Sequence, residues 1–312
     1  MKKTVINILK YIWIGAIFVF VAVYLYKKHS QIANIIKFIP PLNIFMAVSA
    51  LIVAKIVLSY VSLLSTRYFS SNITFREMLK IYNITQMAKY IPGSIWHFVG
   101  KAGFYAEKEL SSADIKKSIF VEMAWVIFSA SALGIIFLFT AEKCDFQIIY
   151  LNMLKYSYLY ALGIIIAATL LFIFRRHFKD MIKIVSKSPL INFKLTISLL
   201  IVWVLLGWCF FITLQPYMKT SNLSVFLYIV GLYALSYSAG FLVPFAPAGI
   251  GIRETILVIG TSSFLSHDKA IVLASLNRVI YIVVEIIVVC ALLPLFNRKK
   301  ADIPKTITEE HS

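Results

Sequence analysis

Two opposite charges lie inside the last apolar segment of the chain, Ala270–Phe296. Arg278 and Glu285 are seven residues apart, which is two turns of an α-helix, so their side chains share one helix face. Charges within a membrane are costly and normally face the interior of a helix bundle or a wet cavity. The pair is therefore a candidate for a polar path through the membrane, and the alternative is a structural ion pair between helices.

Further charges accompany other apolar segments. Arg253 and Glu254 precede a short apolar run, where an arginine can bind a lipid phosphate through two parallel hydrogen bonds. Both residues could equally lie in the cytoplasmic interface. Lys55 interrupts another run, where it could contact phosphate or pair with Glu122. The candidate residues of a substrate path are thus Arg253, Glu254, Arg278, Glu285, Lys55 and Glu122.

The composition of the chain indicates the environment in which these charges act. Hydrophobic residues make up 60% of the sequence and charged residues only 14%, which is too apolar for one water-soluble core. The formal charge of +17 falls in clusters between apolar runs, where it sets orientation and meets anionic lipid, so a nucleic-acid partner is not expected. The three cysteines are far apart and form no metal-binding or disulfide pattern. We expect an integral membrane protein without a metal or cofactor.

Membrane spans follow from run length, because a bilayer core needs about 20 apolar residues per helix. The fold class predicted is an all-α polytopic membrane protein of about eight transmembrane segments. One of these, Thr255–Leu265, is too short to span alone and is predicted as a half-helix. The other runs are Ile12–Tyr26, Ile44–Leu64, Ile119–Thr140, Tyr158–Phe174, Leu195–Leu214, Leu223–Val243 and Ala270–Phe296.

Basic connections between the runs predict the orientation. They place both termini in the cytoplasm, in a multi-pass protein of the cytoplasmic membrane, although Lys27, Lys28 and Lys37 would then face outward. Residues 1–300 form one transmembrane domain with a weak two-fold repeat, about 1–155 and 156–300, followed by a short cytoplasmic tail at 301–312. Charge favours a parallel repeat, and an inverted repeat requires a different first hairpin.

Two segments combine proline, glycine and flanking charge: "KYIPGSIWHFVGKAG" and "FLVPFAPAGIGIRE". Broken backbone at membrane depth is tolerated only beside protein or a water-filled cavity, so we predict two re-entrant segments that line a cavity. A capping-box pattern at Thr74 and Glu77 predicts a surface helix before the first segment. His97 is a proton-carrier candidate or a packed residue beside an aromatic anchor. The residues expected to shape the cavity are Pro92, Gly93, Trp96, Pro247, Gly249 and Gly251.

The motifs "KYIPGSIWHFVGK", "PFAPAGIGIRE" and "ASLNRVIYIVVE" together resemble the flippase-like membrane region of lysylphosphatidylglycerol synthases, the multiple peptide resistance factor family, and its free-standing relatives. In that family the membrane region moves an aminoacylated phosphatidylglycerol across the inner membrane, and a separate soluble domain makes the lipid. This chain ends soon after its last apolar run. The resemblance therefore implies translocation without synthesis.

The expected function is movement of a lipid with a polar headgroup, such as an aminoacylated phospholipid or a glycolipid. No Walker motif is present, so transport would be downhill, coupled to an ion, or driven by consumption of the product. Two alternatives remain: a non-catalytic subunit of a lipid or cell-surface glycan pathway, and a membrane-embedded lipid transferase, for which no paired-acid cluster is found. We expect membrane lipids as partners, with a lipid- or glycan-synthesising enzyme or a second copy as further candidates, and transport rather than enzymatic catalysis.

Overall fold

The computed structural model describes residues 33–90, 95–138, 188–219, 221–243 and 246–292, together with Ser30 and Ser186. These residues form helices and no β-strand. In chain order the α-helices are α1 (Pro41–Arg67), α2 (Phe75–Met87), α3 (Trp96–Ala106), α4 (Ser112–Leu138), α5 (Pro189–Leu214), α6 (Leu223–Leu242), α7 (Ile252–Thr261) and α8 (His267–Leu292).

Five of the described helices are long and apolar enough to cross a membrane: α1, α4, α5, α6 and α8. Each overlaps one of the apolar runs predicted as spans over most of its length, so the prediction of an all-α, multi-pass membrane protein is confirmed. The predicted runs Ile12–Tyr26 and Tyr158–Phe174 lie outside the described residues. The count of about eight segments therefore stays a prediction.

The centre of the bundle is formed by α1 packed on α5, and by α6 packed on both α4 and α5. Helices inside a membrane gain no hydrophobic driving force from one another, so close approach of small residues matters more than in water. Gly207 of α5 provides such an approach, because a Cβ atom there would lie 2.6 Å from Cα of Val230 in α6. Nearby, Trp203 donates a hydrogen bond through Nε1 to Oγ of Ser129 in α4, at 2.9 Å.

Helix α2 begins with the predicted capping box. The backbone N–H of Glu77 donates to Oγ1 of Thr74 at 3.3 Å, and the Thr74 N–H donates to Oε2 of Glu77 at 2.9 Å. Met78, Ile81 and Tyr82 are buried, whereas the first turn is exposed. The predicted short helix is confirmed, with its apolar face against α1.

Two helices adjoin the broken segments. Helix α7 is a ten-residue helix that overlaps the predicted half-helix Thr255–Leu265 but begins and ends earlier, and it is too short to span a bilayer core alone. Its place as a membrane segment stays a prediction. Helix α3 continues to Ala106, beyond the short apolar stretch that the sequence offers before Lys101. Lysine is a good helix former, and Lys101 lies within this helix with its buried ammonium group paired with a carboxylate.

The breaks themselves are only partly described. Residues 91–94, which include Pro92 and Gly93, and residues 244–245 lie outside the described residues, so the re-entrant shape stays a prediction. The two segments that flank the breaks are short 3₁₀ turns, Ala88–Tyr90 and Pro247–Gly249, and these turns contact one another. The two broken segments of the sequence thus meet in the fold.

Candidate functional site

A cavity of about 230 Å³ lies where the two broken segments meet. Ile95, His97 and Phe98 line it from the first segment, and Ala246, Ala248 and Gly249 line it from the second. Four charged residues reach it from four elements: Lys89 from the first 3₁₀ turn, Lys101 from α3, Glu122 from α4 and Arg253 from α7. The lining is therefore partly apolar and carries three cations and one carboxylate.

Glu285 of α8 is the centre of a buried charge cluster beside this cavity. Its Oε1 atom forms ion pairs with Lys55 of α1 and, at 2.5 Å, with Nζ of Lys89. Its Oε2 atom accepts a hydrogen bond from the hydroxyl of Tyr90 at 2.5 Å. The Tyr281 ring lies under both ammonium groups, 4.6 Å from Lys55 Nζ and 4.9 Å from Lys89 Nζ. One carboxylate thus holds two cations, and the cluster joins α1, α8 and the first 3₁₀ turn.

A second charge cluster forms around Glu122. Nζ of Lys101 lies 2.7 Å from Oε1 and 2.8 Å from Oε2 of this carboxylate, and it also donates to Oγ of Ser62 at 3.1 Å. Ser62 in turn donates to Oε2 of Glu122 at 2.9 Å and lies 3.1 Å from the Tyr105 hydroxyl. The Tyr82 ring faces Lys101 Nζ at 5.0 Å. Every charge in this cluster has hydrogen-bonding partners, as a buried pair requires.

A polar face of α1 links the two clusters. Lys55, Ser59 and Ser62 recur at helical spacing, and all three are buried. Ser59 donates to the carbonyl of Lys55 at 2.8 Å and accepts a hydrogen bond from Nδ2 of Asn83 at 3.1 Å. A helix that crosses a membrane therefore carries a continuous polar stripe, which is costly unless it faces other polar groups.

Arg253 is held differently from the other cations. Its guanidinium carbon lies 3.8 Å from the centroid of the Tyr237 ring in α6, a cation–π contact. Gly240 makes room for it, because a Cβ atom there would lie 2.7 Å from Cγ of Arg253. Its Nε atom is shielded from solvent and has no hydrogen-bond partner among the described residues. Arg253 thus lines the cavity and contains one buried N–H donor that no described residue accepts.

Arg278 and Glu254 stabilise the second 3₁₀ turn. Arg278 donates through Nη2 to the carbonyl of Ala248 at 2.8 Å, and its Nε lies 3.6 Å from Oε1 of Glu254. Oε2 of Glu254 accepts from the N–H of Gly251 at 2.6 Å, which caps α7. Ala248 and Gly249 have φ angles of 53° and 71°, so this turn adopts a conformation that needs support.

The predicted substrate-path residues fall into three groups. Arg253 and Glu122 line the cavity, Lys55 and Glu285 pair in the neighbouring cluster, and Glu254 with Arg278 holds the adjacent turn. The two alternatives for Lys55 were phosphate contact and pairing with Glu122; in the structure its partner is Glu285, whereas Glu122 pairs with Lys101. Among the described residues no ion pair joins Arg278 to Glu285, and each pairs with another residue instead.

Some of the predicted cavity-shaping residues lie at the cavity and others do not. Gly249 lines the cavity and allows close backbone contact, since a Cβ atom there would lie 2.9 Å from Cα of Gly240. Pro247 belongs to the second 3₁₀ turn. Trp96 is 46% exposed, Gly251 is exposed, and neither lines this cavity. Pro92 and Gly93 lie outside the described residues.

Three residues of the site were missed by reasoning from the sequence: Lys89, Tyr90 and Lys101. The two lysines lie on either side of the "IPGS" break, in one of the basic connections between apolar runs. Their position at the ends of an apolar, broken segment was the signal that could have identified them. His97, a weak candidate, lines the cavity and is buried.

Among the described residues no group of histidine, cysteine and carboxylate side chains could hold a metal ion. No protein-family model matches the chain, and no curated protein matches it. The likeness to the multiple peptide resistance factor family therefore stays a prediction that depends on the sequence motifs.

Proposed function

We propose that this protein is a lipid translocase that moves a lipid with a polar headgroup, such as an aminoacylated phospholipid or a glycolipid, across the cytoplasmic membrane. The observation that carries the proposal is the cavity at the meeting point of the two broken segments, with charged residues from four elements in its lining. Buried charge beside irregular backbone is typical of substrate sites in membrane transporters. The motifs shared with the flippase-like family support the same function.

A translocase must shelter the headgroup while the acyl chains stay in the bilayer. Unpaired charge in hydrocarbon costs several kcal/mol, so polar groups along the path lower the barrier to crossing. Here Arg253 and Lys89 would receive the phosphate, and Glu122 would meet a hydroxyl or a cationic part of the headgroup. Arg278 and Glu254 would keep the second 3₁₀ turn in place around the cavity. We place both termini in the cytoplasm, as the basic connections predict.

Reconstitution tests this function. Purified protein is placed in vesicles that contain a lipid with a labelled headgroup, and an external quencher reports which leaflet the label occupies. We expect quenching to proceed beyond the outer leaflet for the wild type and to slow strongly in Glu122→Gln, which keeps the shape but removes the charge. Arg76→Ala, a change of an exposed arginine on α2, should behave as the wild type.

The size-exclusion profile of each variant shows whether it is folded. If wild-type vesicles move neither amino-lipid, phosphatidylglycerol nor glycolipid, the translocase proposal fails. A non-catalytic subunit of a lipid or glycan pathway would then be the better function.

A further inference from the structure

Among the described residues, the charges at and around the cavity do not balance. The two clusters, the second turn and Arg253 together contain five cations, Lys55, Lys89, Lys101, Arg253 and Arg278. In the described part of the chain these cations face three carboxylates, Glu122, Glu254 and Glu285. Cations exceed carboxylates by two, in a region that contains the polar stripe of a membrane-spanning helix. Uncompensated charge is costly at such a place, and the cost is relieved when a ligand of opposite charge binds or when a lysine releases its proton.

The excess is located at particular residues. Glu285 is shared by two lysines, of which only Lys89 lines the cavity. Arg253 is the other cavity-lining cation without a carboxylate of its own, because Glu254 pairs with Arg278 within the described residues. Its shielded Nε has no hydrogen-bond partner among them. The unbalanced charge therefore faces the cavity through Arg253 and Lys89.

The geometry of Arg253 favours phosphate over other anions. The Tyr237 ring lies against the guanidinium and restricts its movement, and a guanidinium offers two parallel N–H donors to phosphate oxygens. Lys89 adds a point charge from the opposite broken segment. The guanidinium of Arg253 and the ammonium group of Lys89 line the same cavity, and together they suit a tetrahedral, anionic group.

We propose that the cavity selects lipids whose phosphate headgroup is a net anion, with Arg253 as the contact to the phosphate, and discriminates against headgroups of net positive charge. This inference rests on the proposed function and narrows it, because it favours a phosphate-linked glycolipid or another anionic phospholipid over an aminoacylated, cationic lipid. An excess of two positive charges matches a phosphomonoester or a diphosphate more closely than a diester.

An equilibrium competition experiment tests the proposal. The full-length protein in zwitterionic detergent binds phosphatidic acid labelled on its acyl chain, and unlabelled phosphatidic acid, phosphatidylglycerol, phosphatidylcholine, lysylphosphatidylglycerol and inorganic phosphate compete. We expect phosphatidic acid to compete best and phosphatidylglycerol next. Phosphatidylcholine and lysylphosphatidylglycerol should need concentrations about tenfold higher or more, because their ammonium groups are repelled by the excess cations of the cavity.

Variants of Arg253 test whether this residue is the contact to the lipid phosphate. Arg253→Ala should raise the Kd for phosphatidic acid about tenfold or more, and Arg253→Lys should lie between it and the wild type. Arg76→Ala, which removes an exposed arginine, should leave the Kd unchanged. The comparison of lipids uses the wild type alone, so it tests the preference for anionic headgroups even if a variant fails to fold.

Three results would overturn the proposal. The first is equal competition by lysylphosphatidylglycerol and phosphatidic acid, and the second is equal competition by inorganic phosphate, which would assign the site to the free ion. The third is an unchanged Kd for phosphatidic acid in a folded Arg253→Ala variant. Binding and movement are measured separately. Selective anion binding without movement in vesicles would contradict translocation only, and movement of a cationic lipid with no anion preference would contradict this inference only.

Discussion

Lys55 of α1 and Glu285 of α8 are separated by 230 residues in the chain and form an ion pair in which each side chain is only 2% exposed. Lys89 shares the same carboxylate from the first 3₁₀ turn. One acidic group therefore connects two membrane-spanning helices and the segment that leads into the break. A buried charge network of this kind fixes the relative positions of its elements, because any displacement leaves a charge unpaired.

The first prediction compares the two ends of this pair. Glu285→Ala leaves Lys55 and Lys89 without their carboxylate and should lower the free energy of unfolding by about 3–5 kcal/mol. Lys55→Ala should cost less, because Glu285 keeps Lys89 and Tyr90 as partners. Denaturant titration in mixed micelles, followed by helical circular dichroism, measures both. If both variants lose the same free energy of unfolding, Lys89 does not compensate for the loss of Lys55 as a partner of Glu285.

The sequence predicted the membrane spans well because their signal is local. Runs such as Ile44–Leu64 and Leu195–Leu214 are apolar over the whole thickness of a bilayer, and α1 and α5 contain them. The cap of α2 was equally predictable, since Thr74 and Glu77 act within one turn. The burial of Lys101 in α3 was harder to predict, because its carboxylate partner, Glu122, belongs to another helix.

The partners of the buried charges could not be predicted either, because they too lie on distant segments of the chain. Sequence spacing places Arg278 and Glu285 on one helix face, but the tertiary fold gives Arg278 to Ala248 and Glu254, and Glu285 to Lys55 and Lys89. Which cation meets which carboxylate is decided by helix packing between distant segments. The sequence could identify the buried charges as unusual, and it could not assign their contacts.

The second prediction concerns the close approach of α5 and α6. Gly207→Ala places a methyl group 2.6 Å from the backbone of Val230, which must move, and should destabilise the protein by about 1–3 kcal/mol. Gly103→Ala in α3 is the matched control, because nothing lies within 4 Å of its added Cβ. That change should be neutral or stabilising by about 0.5–1 kcal/mol. If both changes have the same effect in the mixed-micelle titration, the helices are not in contact at Gly207.

The third prediction is a pH dependence at the start of α2, outside the membrane spans. A hydrogen bond from Lys108 and the capping hydrogen bond from Thr74 lower the pKa of Glu77 from 4.5 to about 2. Because the folded pKa lies below the unfolded one, the stabilisation is complete above about pH 4.5 and is lost as the pH falls towards 2. The stability difference between wild type and Glu77→Gln should therefore be constant near neutral pH and shrink below about pH 4.5.

Lys108→Ala is the control for that titration. Removal of this lysine raises the pKa of Glu77, so the stability difference caused by Glu77→Gln should become smaller in the Lys108→Ala background. Exposure of both side chains and screening by salt limit the size of the effect. A difference that does not change between pH 7 and the acid range would contradict the role given to Glu77.

The fourth prediction separates a positioning role of Arg278 from direct contact with a headgroup. Arg278 binds the carbonyl of Ala248, where φ is 53°, and so restrains the turn beside the cavity. In Arg278→Ala this turn should open more often, and a cysteine placed at 248 in a background without native cysteines should react about tenfold faster with a small water-soluble reagent. Arg278→Lys keeps the charge without the planar fork and should give an intermediate rate. If Arg278 only restrains the turn, its removal must speed up the reaction of the cysteine at 248. Loss of lipid movement in Arg278→Ala with an unchanged reaction rate at 248 would therefore show that Arg278 acts on the headgroup itself.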